Sequence, residues 1–241
     1  MIPAIALLFF AACTKSDMGP SMAPATNPGN QSAPATTAIS PAAPATQEVA
    51  ITYRLITEQP LTPGGILHWN TGYLAISAIS MEGFQTMGNA MKRQYAEYQA
   101  SQTAKLFAPA DLGVLHLPHG LYTAFNFSII LTPNTATDNN VLFLSGSYMS
   151  GHGEVQLELI IADPLNLQAQ MTGNAPWSLD RPQYIALLKL NPDKLMSGIT
   201  GPMLDQATVA NGAIVISQNS NRNLYRQILD NMQPNLNVEL Q

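Results

Sequence analysis

The feature that most restricts the fold is a succession of short apolar segments separated by turn residues, running from residue 49 to residue 172. In the first segment, residues 49–56, β-branched and aromatic side chains occur in short alternation, as in a half-buried strand. Further segments of this kind are residues 66–84, 113–117, 121–132, 141–149, 154–162 and 165–172. Because no helical segment separates these strands, the pattern predicts an antiparallel β-sandwich rather than a parallel sheet.

Two segments within this succession carry more specific expectations. Gly72 interrupts residues 66–84, so it either divides them into two strands or marks a bulge. In residues 121–132, alternation places every second residue on one face of the strand. These residues are Leu121, Thr123, Phe125, Phe127, Ile129 and Leu131. Residues 89–107 fit both a helix and an edge strand, and we favour the strand.

The last sixty residues are different, because short helices are predicted among their strands. Asn191 followed by Pro192 is typical of a capped helix start, which predicts a short helix over residues 192–196. A second helix is predicted from residue 220 or 221 to Met232, with its apolar side chains on one side. Residues 184–190 and 213–217 are predicted strands. The expected fold is therefore mainly β, with short C-terminal helices.

The N-terminus carries an apolar run, residues 5–12, that is too short to cross a hydrocarbon core about 30 Å thick. It has the length of the apolar part of a signal peptide, and Cys13, the only cysteine, follows directly. Phe10-Ala11-Ala12-Cys13 resembles the lipobox of bacterial lipoproteins, which implies cleavage before Cys13 and lipidation of its sulfur. The alternative is an ordinary secretory signal in which this cysteine has no role.

A change in composition divides the rest of the chain. Residues 13–47 are rich in Pro, Ala, Ser and Thr and contain few large apolar side chains, so we expect a disordered linker. The predicted organisation is thus a lipoprotein signal peptide over residues 1–12, a lipid-anchored linker over residues 13–47 and a β-sandwich domain over residues 48–241.

The charge and motif content argue against several classes of function. Ten Lys and Arg residues against fifteen Asp and Glu residues give a net charge of −5, without a basic stripe for nucleic acid. One cysteine excludes an internal disulfide framework and a cysteine-rich zinc site. Phosphate-binding glycine motifs are absent from the sequence. We therefore expect no cofactor and no nucleic-acid partner.

The sequence offers few candidates for a catalytic or metal-binding constellation. His116 and His119 flank a predicted turn, but zinc needs three or four ligands, so a polar hairpin end is the favoured interpretation. The serine-rich residues 145–151 lack the G-x-S-x-G arrangement of a nucleophile elbow. Carboxylates such as Glu82 have ordinary solvent-face explanations. The chain is expected to be neither an enzyme nor a metal protein.

Aromatic side chains are the strongest candidates for ligand binding. Trp177 lies in a segment preceded by proline that we interpret as a loop, and loops on rigid scaffolds often carry function. Neutral Asn and Gln side chains suit the recognition of hydroxyl groups. The other aromatic side chains that could stack on a sugar ring are Trp69, Tyr73, Tyr95, Tyr98 and Tyr148, although aromatic residues in a sandwich usually belong to the core.

Several stretches between residues 49 and 232 share a pattern with a known group of proteins. These stretches are Trp69 with Gly72 and Tyr73, residues 115–122, residues 142–148, and residues 212–217 with Asn221, Asn223, Leu224 and Tyr225. They resemble a domain of uncharacterised lipoproteins from Bacteroidota-type envelopes. The resemblance implies a lipid-anchored β-sandwich with small C-terminal helices and brings no catalytic residues.

These observations lead to one principal hypothesis and one alternative. The chain is expected to be a non-enzymatic envelope lipoprotein of adhesion, assembly or scaffolding type. Its partners would be the membrane, through the lipid anchor at Cys13, and a glycan or another envelope protein. The alternative is a carbohydrate- or small-ligand-binding module in the same location, with Trp177 in its site. The expected location is the outer membrane, on either its periplasmic or its external face.

Overall fold

The protein is represented by a computed structural model that describes residues 47–58, 67–233 and 236–241. The predicted signal peptide, Cys13 and all of the predicted linker except Gln47 lie outside the described residues. The described part of the chain is mainly β, and its few short helices lie near the C-terminus. None of its helices has the length and apolar character needed to cross a bilayer.

The described residues form thirteen strands and three α-helices. The strands are β1 (Glu48–Thr57), β2 (Leu67–Met87), β3 (Ala90–Lys105), β4 (Ala110–Pro118), β5 (Gly120–Leu131), β6 (Leu142–Ser150), β7 (Gly153–Ile161), β8 (Leu165–Met171), β9 (Trp177–Leu179), β10 (Gln183–Leu190), β11 (Val209–Ala210), β12 (Ala213–Ile216) and β13 (Leu236–Leu240). The helices are α1 (Pro192–Leu195), α2 (Gly201–Asp205) and α3 (Arg222–Met232).

The strands follow one hydrogen-bonded path that folds over itself. Its order is β11-β12-β7-β6-β2-β5-β8-β13-β10-β1-β4, with β3 added to β2 and β9 added to β5. Most of these pairings are antiparallel, but β1 with β10, β7 with β12 and β8 with β13 are parallel. The predicted β-sandwich with short C-terminal helices is confirmed, and parallel pairing is a detail that the sequence pattern did not predict.

The core lies between strands that are distant along this path. Tyr53 of β1 and Phe127 of β5 have ring centroids 5.7 Å apart, although three strands separate them in the sheet. The Tyr53 hydroxyl also reaches the backbone oxygen of Ser80 in β2, at 3.5 Å. Tyr53 and Phe127 are fully buried. The folded-over sheet therefore encloses a shared apolar interior, as expected for a sandwich.

The long strand β2 links the parts of the sheet, because it pairs with β3, β5 and β6. It continues through Gly72, so residues 66–84 do not divide into two strands there. Register shifts occur instead between Trp69 and Thr71 and between Ile76 and Ala78. A Cβ at Gly72 would lie 2.8 Å from the backbone oxygen of Phe143, so glycine allows β6 to approach closely.

The prediction that alternate residues of β5 share one face is wrong for the first residues of the strand. Leu121 and Thr123 are exposed, whereas Tyr122 is fully buried together with the later residues Phe127 and Leu131. The pairing of β5 with β2 shifts between Gly83 and Gln85, and such an irregularity reverses which side chains point inward. This reversal places Leu121 on the outer surface.

The segments of uncertain prediction have clear structures. Most of residues 89–107 lie in the strand β3 (Ala90–Lys105), as favoured. The Asn191 side chain accepts hydrogen bonds from the backbone N–H groups of Asp193 and Lys194, at 3.0 and 3.3 Å, which confirms its role as the cap of α1. Strand β13 was not predicted, although Leu236, Val238 and Leu240 alternate with polar residues.

Candidate functional site

The outer face of the sheet carries a patch of neutral polar side chains where β2, β5 and β8 lie side by side. In the register of these strands, Ser80 is opposite Ser128, which is opposite Gln168. Two residues after Ser80 in β2, Glu82 is opposite both Asn126 of β5 and Tyr95 of β3. Paired residues of a sheet project from the same face, so these side chains gather on one surface.

This patch contains a groove with a volume of about 310 Å³, at the lower end of the roughly 300–1,000 Å³ range of small-molecule sites. Tyr95 is the aromatic residue most available to a ligand there, since it is 56% exposed. The residues that line the groove are Ser80, Glu82, Tyr95, Asn126, Phe127, Ser128 and Gln168. We call this surface the Tyr95 groove.

The charges beside the Tyr95 groove are largely paired. Arg93 donates two hydrogen bonds to the carboxylate of Glu82, at 2.7 and 3.0 Å. The hydroxyl of Tyr95 donates to Glu97, and this hydrogen bond raises the pKa of Tyr95. Ser128 donates to the side-chain oxygen of Asn166 at 2.7 Å. These two hydrogen bonds orient the Glu82 carboxylate, and its remaining lone pairs can accept hydrogen bonds from a ligand.

Trp177 lies in a strand and not in the predicted loop. It is the first residue of the short strand β9 and pairs with Tyr122 of β5. It is half-buried and packs against the core, and its ring centroid lies 5.8 Å from that of Phe125. The preceding peptide bond, between Ala175 and Pro176, is cis. Trp177 does not line the Tyr95 groove, and its role in ligand binding stays a prediction.

The other aromatic candidates divide by exposure. Tyr148 is buried, and its hydroxyl contacts the backbone oxygen of Gly201 and the carboxylate of Asp205, at 3.1 and 3.0 Å. Tyr73 stacks on Phe143 with ring centroids 5.4 Å apart. Trp69 packs partly against the core. These contacts give Tyr148, Tyr73 and Trp69 structural roles.

Tyr98 is exposed like Tyr95 but lies on the other face of β3. It pairs with the buried Ile79, whereas Tyr95 pairs with Glu82. The Tyr98 ring lies against Gly113, where an added Cβ would be 2.4 Å from the ring carbon Cδ1. Of the two exposed tyrosines, Tyr95 alone borders the polar patch.

The predicted histidine positions lie at the end of β4. Nδ1 of His116 is 4.0 Å from a carboxylate oxygen of Glu48, and His119 forms the turn between β4 and β5. Within residues 47–58, 67–233 and 236–241, no group of three or more His, Cys, Asp or Glu side chains is arranged to hold a metal ion. Cys13, the predicted lipidation site, lies outside these residues.

The sequence alone does not assemble the Tyr95 groove. It indicates Tyr95 as one of six aromatic candidates and offers a solvent-face explanation for Glu82, and it carries no signal for Asn126, Ser128 or Gln168 as site residues. Alternation within each strand indicates which side chains face outward. The pairing of β2 with β5 and of β5 with β8 is needed to bring them together.

No protein-family model, curated protein or solved structure was found to match this chain. The site must therefore be interpreted from its own geometry.

Proposed function

We propose that the chain is a non-enzymatic lipoprotein of the outer membrane, similar to Bacteroidota-type envelope lipoproteins, which is anchored through Cys13 and acts in adhesion, assembly or scaffolding. The apolar run of residues 5–12 followed at once by the only cysteine supports the anchor. Two or three acyl chains on that residue would hold the protein stably, since a single chain gives only marginal membrane binding.

The function that the geometry of the domain favours is binding of a neutral carbohydrate in the Tyr95 groove. The observation that supports this most is the combination of an exposed aromatic ring with amide and hydroxyl groups on one rigid sheet face. The pyranose ring has one apolar face and several hydroxyl groups. Such a ring would stack on Tyr95 while Asn126 and Gln168 exchange hydrogen bonds with its hydroxyls.

Glu82 and Arg93 would orient the ligand in this site. The paired carboxylate of Glu82 retains lone pairs that can accept a hydrogen bond from a sugar hydroxyl, because a carboxylate has about four acceptor positions. Their mutual neutralisation disfavours a strongly charged ligand. The groove therefore suits neutral hexose units better than phosphorylated or acidic sugars.

A glycan array followed by calorimetry on the best ligand tests the carbohydrate proposal. Tyr95→Ala should weaken binding at least about fivefold, because stacking of a ring on an aromatic residue supplies about 1–3 kcal/mol. Asn126→Ala should weaken it by a smaller factor. Tyr98→Ala is the matched control, since it removes an exposed tyrosine from the opposite face of β3.

The outcome for Trp177→Ala separates the two candidate residues. Lost binding in this variant, with Tyr95→Ala unaffected, would move the site to β9 and contradict the groove. If no glycan binds, the carbohydrate proposal is contradicted, and the adhesion or scaffolding role is unaffected.

Labelled palmitate tests the anchor separately. The label should enter the wild-type chain in cells and be absent from Cys13→Ala, which should then appear in the soluble fraction. Equal labelling of both chains, or no labelling of either, would contradict lipidation. Protease accessibility of the lipidated chain in intact cells would then distinguish the external from the periplasmic face of the outer membrane.

A further inference from the structure

The hairpin that joins β2 to β3 ends in exposed apolar side chains. Met87 and Met91 are 55% and 68% exposed. Met87 directly precedes the two-residue turn of Gly88 and Asn89, and Met91 is the second residue after it, on the opposite face of the hairpin. Gly88 has a φ of +60°, which suits a tight hairpin turn. Leu121 of β5 is also exposed and lies in register with Thr86, the residue that pairs with Met91. We call Met87, Met91 and Leu121 the apolar tip.

The described chain begins at the same end of the domain. The backbone oxygen of Gln47 accepts a hydrogen bond from the N–H of His119, at 2.9 Å. The oxygen of His119 in turn accepts one from the side chain of Gln85, at 2.7 Å, and Gln85 is two residues from Met87. Any anchor at Cys13 therefore pulls on the end of the domain that carries the apolar tip.

A positively charged side chain, Lys92, lies next to the apolar tip. Lys92 directly follows Met91 and is exposed, and none of the ion pairs found among the described residues involves it. Exposed methionine and leucine beside lysine match the interfacial region of a bilayer, where apolar side chains enter and basic ones meet anionic headgroups.

We propose that the apolar tip docks onto the lipid surface to which the chain is anchored. This inference rests on the proposed lipidation of Cys13, because only 33 residues separate Cys13 from Gln47 and attachment would keep the tip at a high local concentration near the bilayer. Three apolar side chains bind lipid weakly by themselves, so docking depends on attachment. The domain would then be held with one defined end toward the membrane.

Methionine oxidation measures this docking at single residues. The full chain is coupled through the thiol of Cys13, its only cysteine, to vesicles of phosphatidylethanolamine and phosphatidylglycerol that contain a maleimide lipid. Peroxide then converts accessible methionines to sulfoxides, which mass spectrometry counts. Coupling should slow oxidation of Met87 and Met91 at least threefold relative to the uncoupled chain.

Met149 is the internal control, since it is 51% exposed and lies beyond Tyr148, which pairs with Leu67 at the opposite end of β2. Its oxidation rate should change little on coupling. Equal rates for Met87 and Met91 with and without vesicles, or equal slowing of Met149, would overturn docking by the tip. Protection that grows with protein concentration in the absence of vesicles would indicate a second copy as the occupant and would also overturn it.

A variant with Met87→Ser, Met91→Ser and Leu121→Ser removes the tip and is monitored through lysine acetylation. In the wild-type chain, coupling should protect Lys92 but not Lys105, which lies at the other end of β3. In the triple variant the protection of Lys92 should disappear, while circular dichroism checks that the fold is kept. Persisting protection would contradict the proposal. Because coupling is chemical, a failure of docking is distinguishable from a failure of lipidation in cells.

Discussion

The hydroxyl oxygen of Tyr184 lies 2.8 Å from Oδ1 of Asp180 and closes the turn between β9 and β10. The same hydroxyl accepts hydrogen bonds from the backbone N–H groups of Asp180 and Arg181. The Arg181 guanidinium carbon is 4.3 Å from the centre of the Tyr184 ring. The hydrogen bond from Tyr184 lowers the pKa of the Asp180 carboxyl.

This contact predicts a pH-dependent effect of Tyr184→Phe. A carboxyl whose folded pKa is below its unfolded value of about 3.9 stabilises the fold above that pH, and the contribution is lost as the pH falls through the folded pKa. We expect Tyr184→Phe to lower the Tm by about 3–6 °C at pH 7. The loss should be smaller at pH 2.5, and an equal loss at both pH values would contradict the role of Asp180.

Gly113→Ala should destabilise the domain by at least about 2 kcal/mol, because the backbone there has a φ of +145° and Tyr98 occupies the space of a Cβ. Urea unfolding measures the difference. The control is Gly151→Ala, since a Cβ at Gly151 would meet nothing within 4 Å and should change stability by less than about 0.5 kcal/mol. The double variant with Tyr98→Ala should recover part of the loss and leave the backbone strain.

Asn231→Ala should cost about 1–3 kcal/mol, because its side-chain amide donates to the backbone oxygens of Leu195 and Ser197, at 2.8 and 2.9 Å. These bonds attach the segment after α1 to α3. Gln227→Ala is the comparison, since Gln227 donates a single bond of 3.1 Å to the same Ser197 oxygen. Chemical unfolding should give a clearly smaller loss for Gln227→Ala, and the reverse order would contradict this assignment.

Asp193→Asn should stabilise the protein near neutral pH. Burial raises the pKa of Asp193, while His68 and Trp69 act in the opposite direction. Because the folded pKa of Asp193 is above its unfolded value, the contribution of this group to stability is fully present below about pH 3.9. It is lost as the pH rises through the folded pKa.

The expected gain for Asp193→Asn is about 1–3 °C in Tm at pH 7, and no gain is expected at pH 3. Calorimetry at the two pH values measures it. Glu154→Gln, on an exposed carboxylate at the beginning of β7, should leave the Tm unchanged at pH 7. A gain for Asp193→Asn that is as large at pH 3 would show that burial of the charge is not its cause.

The strands were predictable because their side chains alternate between the interior and solvent. Alternation predicts a strand over residues 49–56, and these residues lie within β1. Alternation failed at Leu121, where a register shift against β2 changes the inward-facing side chains, because such a shift depends on the partner strand. The alternation of Leu236 and Val238 with polar residues is too short to predict β13, which pairs with both β8 and β10.

The candidate site was less predictable than the fold for a related reason. The sequence separation between Glu82, Asn126 and Gln168 is large, and each of them is an ordinary outward-facing residue of its own strand. Their proximity follows from the order β2-β5-β8, which no local pattern contains. A preceding proline makes Trp177 resemble a loop residue in the sequence, yet its ring packs against Phe125 in the structure.

Strand β1 is paired along most of its length on both sides, parallel to β10 and antiparallel to β4. Tension on the chain ahead of Gln47 would act lengthwise on β1. To extract this strand, the force must slide it past both neighbours and break two rows of hydrogen bonds together. The pairing of β1 therefore resists a pull that comes from the side of the predicted anchor.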